Sequence, residues 1–209
     1  VKSRLLLLAL LALLACDAPA IPQRVPAYPF DDGAGDVFRW PETHLPVRFY
    51  ADSRGPMPML AARGFRIWEA QFLYGEFRGV PIADSSSADV IVTVAGPVPV
   101  DVPPDSGPPL PVCSGLTRFV IDSANNSVDS AIVITVQRLA GTATDGQVIA
   151  CFRRVIAHEV GHSLGLLRHS PDTADLMAAE PLVDRPTERD RMTAEVLYHT
   201  VPTIGPPRR

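Results

Sequence analysis

No apolar run in this chain of 209 residues is long enough to cross a bilayer: the longest, residues 5–15, has about eleven residues where a helical span needs roughly twenty. Basic stripes are missing too. Lysine and arginine are scattered, and a net charge of −4 offers no footprint for a phosphate backbone, which argues against nucleic acid as a partner. Cysteine is scarce, with Cys16, Cys113 and Cys151 only, and none between the first two. Proline is the opposite case. Its 22 residues cluster near the N-terminus, at 97–111 and in the C-terminal tail, marking linkers and loops around what reads as one globular domain, expected to be monomeric.

The short apolar run has another role open to it. Lys2 and Arg4 precede it and Leu13-Leu14-Ala15-Cys16 closes it, the arrangement of a signal peptide whose end resembles the bacterial lipobox. That resemblance implies removal of residues 1–15, lipidation of Cys16, and an exported protein anchored in a membrane and facing the periplasm or the cell exterior. Residues 16–36, rich in Pro, Ala, Gly and Asp and without apolar periodicity, read as a tether. The folded domain is then 37–201, and 202–209 is a tail. Export also puts the other two cysteines in an oxidising compartment, so Cys113 and Cys151 are expected to form a disulfide. Closing a loop of that length contributes roughly 4 kcal/mol in the chain-entropy model.

Within the domain, residues 45–51 alternate Val47 and Phe49 with Arg48 and Tyr50, a half-buried strand. Over 58–74 the period changes. Phe65, Trp68 and Phe72 recur every three or four residues, Pro58 suits a first helical turn, and Gly75 suits a stop. The β-branched run 89–95 reads as a fully buried strand. Residues 96–115 form a proline-rich insertion longer than an ordinary connection. Strand signals return at 116–121 and 130–136 around the turn-prone pair Asn125-Asn126, predicting an antiparallel pair with one member at a sheet edge. A closing helix is expected over 187–198, where Thr187 and Asp190 have capping-box spacing.

Chemistry concentrates in 147–165. Ile149, Phe152, Ile156, Val160 and Leu164 repeat at helical spacing, and Thr144 with Gln147 supplies a capping box. On that helix His158 and His162 stand four residues apart, so their Cβ atoms lie about 5 to 6 Å apart on one face and the two imidazoles can share an ion. Zinc accepts neutral imidazole at roughly 2.0 to 2.1 Å, and catalytic zinc keeps three protein ligands and one open position. Glu159, beside the first histidine, is placed to act as general base on a water there. Cys151 cannot join them, because seven helical residues put it about 10.5 Å along the axis from His158. His44 and His199 have no partner at ligand spacing and read as surface residues, and Tyr198 as a packing residue.

The run His158-Glu159-Val160-Gly161-His162-Ser163-Leu164-Gly165, continued by His169-Ser170 and Leu176-Met177, resembles the metzincins and, among them, the matrixins. The resemblance spans about 37–201 and is specific only over 158–177. It implies an α+β, zincin-like domain: a twisted mixed sheet with an antiparallel edge strand, an active-site helix and a C-terminal helix. It also implies that Gly165 ends the active-site helix, that His169 is the third zinc ligand, and that Met177 forms a turn packed beneath the metal. The substrate would be a peptide or protein, cut while extended along an exposed sheet edge such as 116–121.

One departure matters. The family places two residues between the glycine and the third histidine, whereas Leu166, Leu167 and Arg168 intervene here, so the family's position falls on Arg168. A guanidinium stays protonated and has no lone pair to give zinc. An extra residue bulging in the loop, with His169 as ligand, is the simplest account. Asp172 or Glu180 completing the site would instead describe a zinc hydrolase of another branch. A non-catalytic, zinc-containing peptide-binding lipoprotein is the other alternative. The cysteine-switch latency of matrixin zymogens is not expected, since no cysteine lies between Cys16 and Cys113.

Overall fold

The computed structural model describes residues 24–98, 112–139 and 141–208. Residues 1–15, Cys16 and the greater part of the proline-rich insertion lie outside them. Along the described chain run β1 (Val47–Ala51), α1 (Met57–Glu69), β2 (Gly79–Pro81), β3 (Val90–Ala95), β4 (Cys113–Arg118), β5 (Ile121–Asp122), β6 (Ser127–Val128), β7 (Ile132–Arg138), α2 (Asp145–Ser163) and α3 (Glu188–Tyr198). Five strands form one sheet in the order β2-β1-β3-β7-β4. The first four are parallel, and β4 runs antiparallel to β7 at the edge. The expected α+β architecture, mixed sheet and antiparallel edge strand are therefore present. No helix among the described residues is long and apolar enough to cross a membrane.

Among the described residues, only one face of this sheet is closed. Val90, Val92 and Val94 of β3 sit in register with Ile132, Ile134 and Val136 of β7, and all six are buried. Their neighbours Ile91, Thr93, Val133 and Thr135 are only partly covered. The fully buried strand expected at 89–95 is thus a half-buried one, because both long helices pack on the same side. α1 supplies Phe65 and Trp68, with Phe65 stacked on Phe49 at 4.1 Å between ring centroids. Each such buried side chain is worth about 1.5 to 3 kcal/mol over its exposed state. α2 supplies Phe152, Ile156 and Val160 from the predicted stripe, and its Thr144–Gln147 capping box is formed.

Two other readings shift. Asn125-Asn126 closes a separate ribbon of β5 and β6, with Asn126 at φ 47, while the main antiparallel ladder pairs Cys113–Arg118 with Ile132–Arg138. Residues 24–36, read as part of the tether, lie against the domain. Tyr28 is buried, its hydroxyl donates to Asp190 at 2.7 Å, and the Leu167 N–H donates to the Phe30 carbonyl at 2.9 Å. A segment without periodicity can still dock through a single aromatic anchor and a few backbone hydrogen bonds, which no pattern in its composition announces.

Candidate metal centre

The site is built on the last two turns of α2 and on the chain that leaves it. Cys113–Cys151 is bridged, with Cα atoms 6.0 Å apart, so α2 is tied to the edge strand β4 about two turns before His158. Two tryptophans hold the same helix from the core side: Trp68 donates its indole N–H to the Ala157 carbonyl (2.7 Å), and Trp40 donates to that of Ser163 (2.9 Å). The second satisfies one of the carbonyls that a helix C-terminus leaves open.

Helix α2 then ends in a paired reversal. Gly165 donates to the His162 carbonyl at 2.8 Å, and Leu166 donates to that of Gly161 at 3.2 Å, the two bonds of a Schellman motif. Gly165 has φ 110, and a Cβ there would run into the Phe38 carbonyl, so glycine is required on both counts. The motif also turns the Leu166 carbonyl back toward the helix, where it lies 2.5 Å from Nδ1 of His162. His158 is held the same way, with Nδ1 2.7 Å from the Leu176 carbonyl. A carbonyl can only accept, so each Nδ1 carries the proton and each Nε2 keeps its lone pair free.

His169 comes from the loop beyond the reversal. The extra residue is absorbed by turning Arg168 outward, its guanidinium 3.9 Å from Asp31, while the Leu167 N–H is held by Phe30. Ser170 is fastened to Met177 by a backbone hydrogen bond of 2.7 Å. Nε2 of His169 thereby reaches 3.2 Å from Nε2 of His162. The ring centroids of His158, His162 and His169 form a nearly equilateral triangle of 4.6, 5.2 and 5.1 Å.

This donor set fits a metal ion. One nitrogen from each histidine lies within 4.8 Å of the others. Two ligands at about 2.05 Å and a tetrahedral angle would be about 3.3 Å apart, close to the His162–His169 separation. Burial depresses all three imidazoles. His158 falls to about 3, with His162 as a further cause, and His162 falls to about 4; desolvation also lowers His169. They are therefore neutral at ordinary pH, the state that ligates. No carboxylate joins the group among the described residues. Asp172 faces Arg189 at 3.6 Å, and Glu180 is exposed.

Glu159 stands beside the triangle without belonging to it. It is buried, and desolvation raises its carboxyl to about 7 against the opposing pull of Thr117. The Thr117 hydroxyl donates to its Oε2 from β4 at 2.7 Å. Met177 is buried against Gly161, where an added Cβ would run into its sulfur and into the Trp68 ring. Cys151 is in the disulfide and takes no part in the triangle.

Sequence patterns overlooked several residues that hold this arrangement. Asp190, read only as a helix cap, is fully buried and accepts the N–H groups of Leu176 (2.9 Å), Met177 (3.3 Å) and Thr187 (2.8 Å), besides the Tyr28 hydroxyl. Asp175 accepts from Ser170, Thr187 and Arg189 at 2.5, 2.6 and 2.9 Å; burial pushes its carboxyl up, but these donors together hold it below the usual range. His44 is a correction. It is buried, not on the surface, with Nε2 3.1 Å from Asp89. That partner is distant in sequence, so spacing along the chain could not reveal it. His199 is exposed as expected, and Tyr198 packs on Phe72 with centroids 4.6 Å apart.

Fold and site together define a mixed α/β protein with a three-histidine centre able to hold a metal ion. No protein-family model matches the chain, and no curated protein matches it.

Proposed function

We propose that the chain is a zinc-dependent endopeptidase of the metzincin type, similar to the matrixins in its site sequence, working outside the cytoplasm as a membrane-anchored lipoprotein. The observation that carries this reading is the meeting of three neutral imidazoles at ligand separation beside a carboxyl group that is not one of the ligands. Structural zinc sites close with four protein ligands, whereas three with an adjacent acid suit catalysis. Export and anchoring rest on residues 1–16, and the Cys113–Cys151 bridge belongs with an oxidising compartment.

Zinc, when bound, supplies Lewis acidity that polarises a peptide carbonyl and acidifies a water molecule. The residues of the chain do the rest. Glu159, beside the three histidines but not one of them, is placed to take up a proton from that water and to pass it to the leaving amine. Thr117 holds the carboxyl from the sheet side, and the carbonyls of Leu166 and Leu176 keep two imidazoles aimed. An extended peptide adds as a further strand to the outer edge of β4, which no described strand covers. Cavities on either side of Glu159 and His169 accept the side chains that flank the bond to be cut.

The test uses the chain with Cys16→Ser, to keep it soluble. Metal content is measured by mass spectrometry, and cleavage of a peptide library is compared between this protein and its Glu159→Gln variant. One zinc per chain in both is expected, with turnover falling by about 10²- to 10⁴-fold in the variant. Bound zinc without turnover of any peptide would sink the peptidase reading and favour the zinc-containing peptide-binding lipoprotein.

A further inference from the structure

A cavity of about 370 Å³ opens between β4 and residues 179–182, with His158, Glu159 and His169 at one end and Arg154 in its wall. Arg154 precedes His158 by four residues, one helical turn, so it projects from the face of α2 that carries the centre. The rest of the lining is largely apolar: Val155, Leu139, Pro181, Leu182 and the disulfide. Charge in this wall is only partly compensated, since Asp184 acts on Arg154 from a distance without bonding to it. Asp184 is already engaged by Arg63 at 2.8 Å and Arg153 at 2.9 Å, while Arg154 makes no hydrogen bond or ion pair with a described residue. Glu180, the other charged group of the lining away from the centre, is exposed and makes no ion pair with Arg154.

A half-buried guanidinium keeps its proton, and desolvation disfavours its charge here. Its five donors form a planar fork suited to a carboxylate, and a charge-assisted pair in a partly dehydrated cavity is among the stronger polar contacts. An apolar side chain entering the same space would cover the cation and leave those donors dry, which costs binding. Chemistry therefore selects one class of side chain over the others.

Resting on the peptidase reading above, we infer that this cavity receives the carboxylate of an aspartate or glutamate adjacent to the bond that is cut, with Arg154 as its partner. Arg154 is then a specificity residue, and the preferred substrates are peptides acidic beside the cleavage site.

The experiment has two arms. In the first, the zinc-loaded protein digests paired peptides that differ only in Glu against Gln next to the cut bond. The expected kcat/KM ratio is about tenfold or more in favour of Glu. Arg154→Met should bring the ratio near one, and Arg154→Glu should move the preference to Lys, each with zinc content unchanged. Cleavage with no acidic preference, or a preference that survives Arg154→Met, overturns the inference while leaving the peptidase reading intact. The second arm does not need turnover. Fluorescence anisotropy of the same labelled peptides on the Glu159→Gln protein should show the Glu peptide bound more tightly, by a similar factor that Arg154→Met removes. Equal affinities overturn the inference whether or not any peptide is cut, and absence of cleavage in the first arm is the separate mark of a failed peptidase reading.

Discussion

Nδ1 of His158 lies 2.7 Å from the carbonyl oxygen of Leu176, the residue before Met177, so the aim of the first imidazole depends on a turn 18 residues further on. That turn is held in place by the buried carboxylate of Asp190, through the N–H groups of Leu176 and Met177. Replacing Asp190 with Asn leaves the shape but removes the charge and turns one acceptor into a donor facing donors. The expected loss of stability is about 3 kcal/mol or more, since hydrogen bonds to charged groups are worth about 1.5 to 3 kcal/mol each. Zinc affinity should fall about tenfold or more, as for other residues behind the ligands. Chemical denaturation and chelator competition check the two effects, and an Asn variant that matches wild type in both contradicts this account of the turn.

Tyr28 reaches the same carboxylate from the N-terminal segment. Burial, then the charge of Asp190, raises its hydroxyl well above the ordinary value, so it remains a donor throughout the working range. Tyr28→Phe removes only that donor. The expected cost is about 1.5 to 3 kcal/mol, seen as a lower Tm together with faster amide exchange over 24–36. Unchanged exchange in that segment would mean that Tyr28 does not secure it.

Arg168 and His169 make a direct contrast at the third corner of the histidine triangle. His169→Ala should abolish stoichiometric zinc binding at micromolar metal, because a site of two imidazoles lacks the third donor on which catalytic zinc relies. Arg168→Ala should leave zinc content untouched, as its side chain faces Asp31. Equilibrium dialysis with both variants decides the matter, and retention of zinc by His169→Ala would return Asp172 or Glu180 to consideration.

Proton release on metal binding follows from the depressed histidines and the raised glutamate. Below about 7 the metal-free protein carries Glu159 protonated, while His158 and His162, at about 3 and 4, are already neutral. Zinc at pH 6 should displace one proton from Glu159 and none from these two histidines. Calorimetry in buffers of differing ionisation enthalpy should therefore show about one proton more for wild type than for Glu159→Gln at pH 6, and no difference at pH 8. The stability link has the matching sign. A carboxyl raised on folding contributes stability that is present below its unfolded value and lost as pH rises through about 7. Metal-free Glu159→Gln should accordingly gain on wild type between pH 4.5 and 7, then run parallel to it. A constant offset across that range contradicts the raised carboxyl.

Local signals carried far along this chain. The helix over 147–165, its capping box and the turn at Gly165 were all legible, because periodicity, caps and glycine conformation depend on residues within a turn or two of one another, while the pairing of Cys113 with Cys151 followed from there being no other cysteine in the expected mature domain beyond Cys16. Strand registers were less so. The antiparallel pair lies two or three residues from where alternation placed it, since register is set by the partner strand and by β5–β6, not by the strand's own composition.

By itself the sequence determined that His158 and His162 share a helical face with Glu159 between them, for a four-residue step on a helix admits no other arrangement. Tertiary structure decided the third corner. An extra residue before His169 could have carried the imidazole away or toward the pair, and the outcome depends on Phe30 holding Leu167 and Met177 pinning Ser170, with Arg168 turned outward between them. It also decided what stands behind the ligands, where Tyr28, Asp190 and Leu176 meet from three separate stretches of chain. Such contacts exist only once the core has closed, because no periodic pattern relates residues brought together by packing.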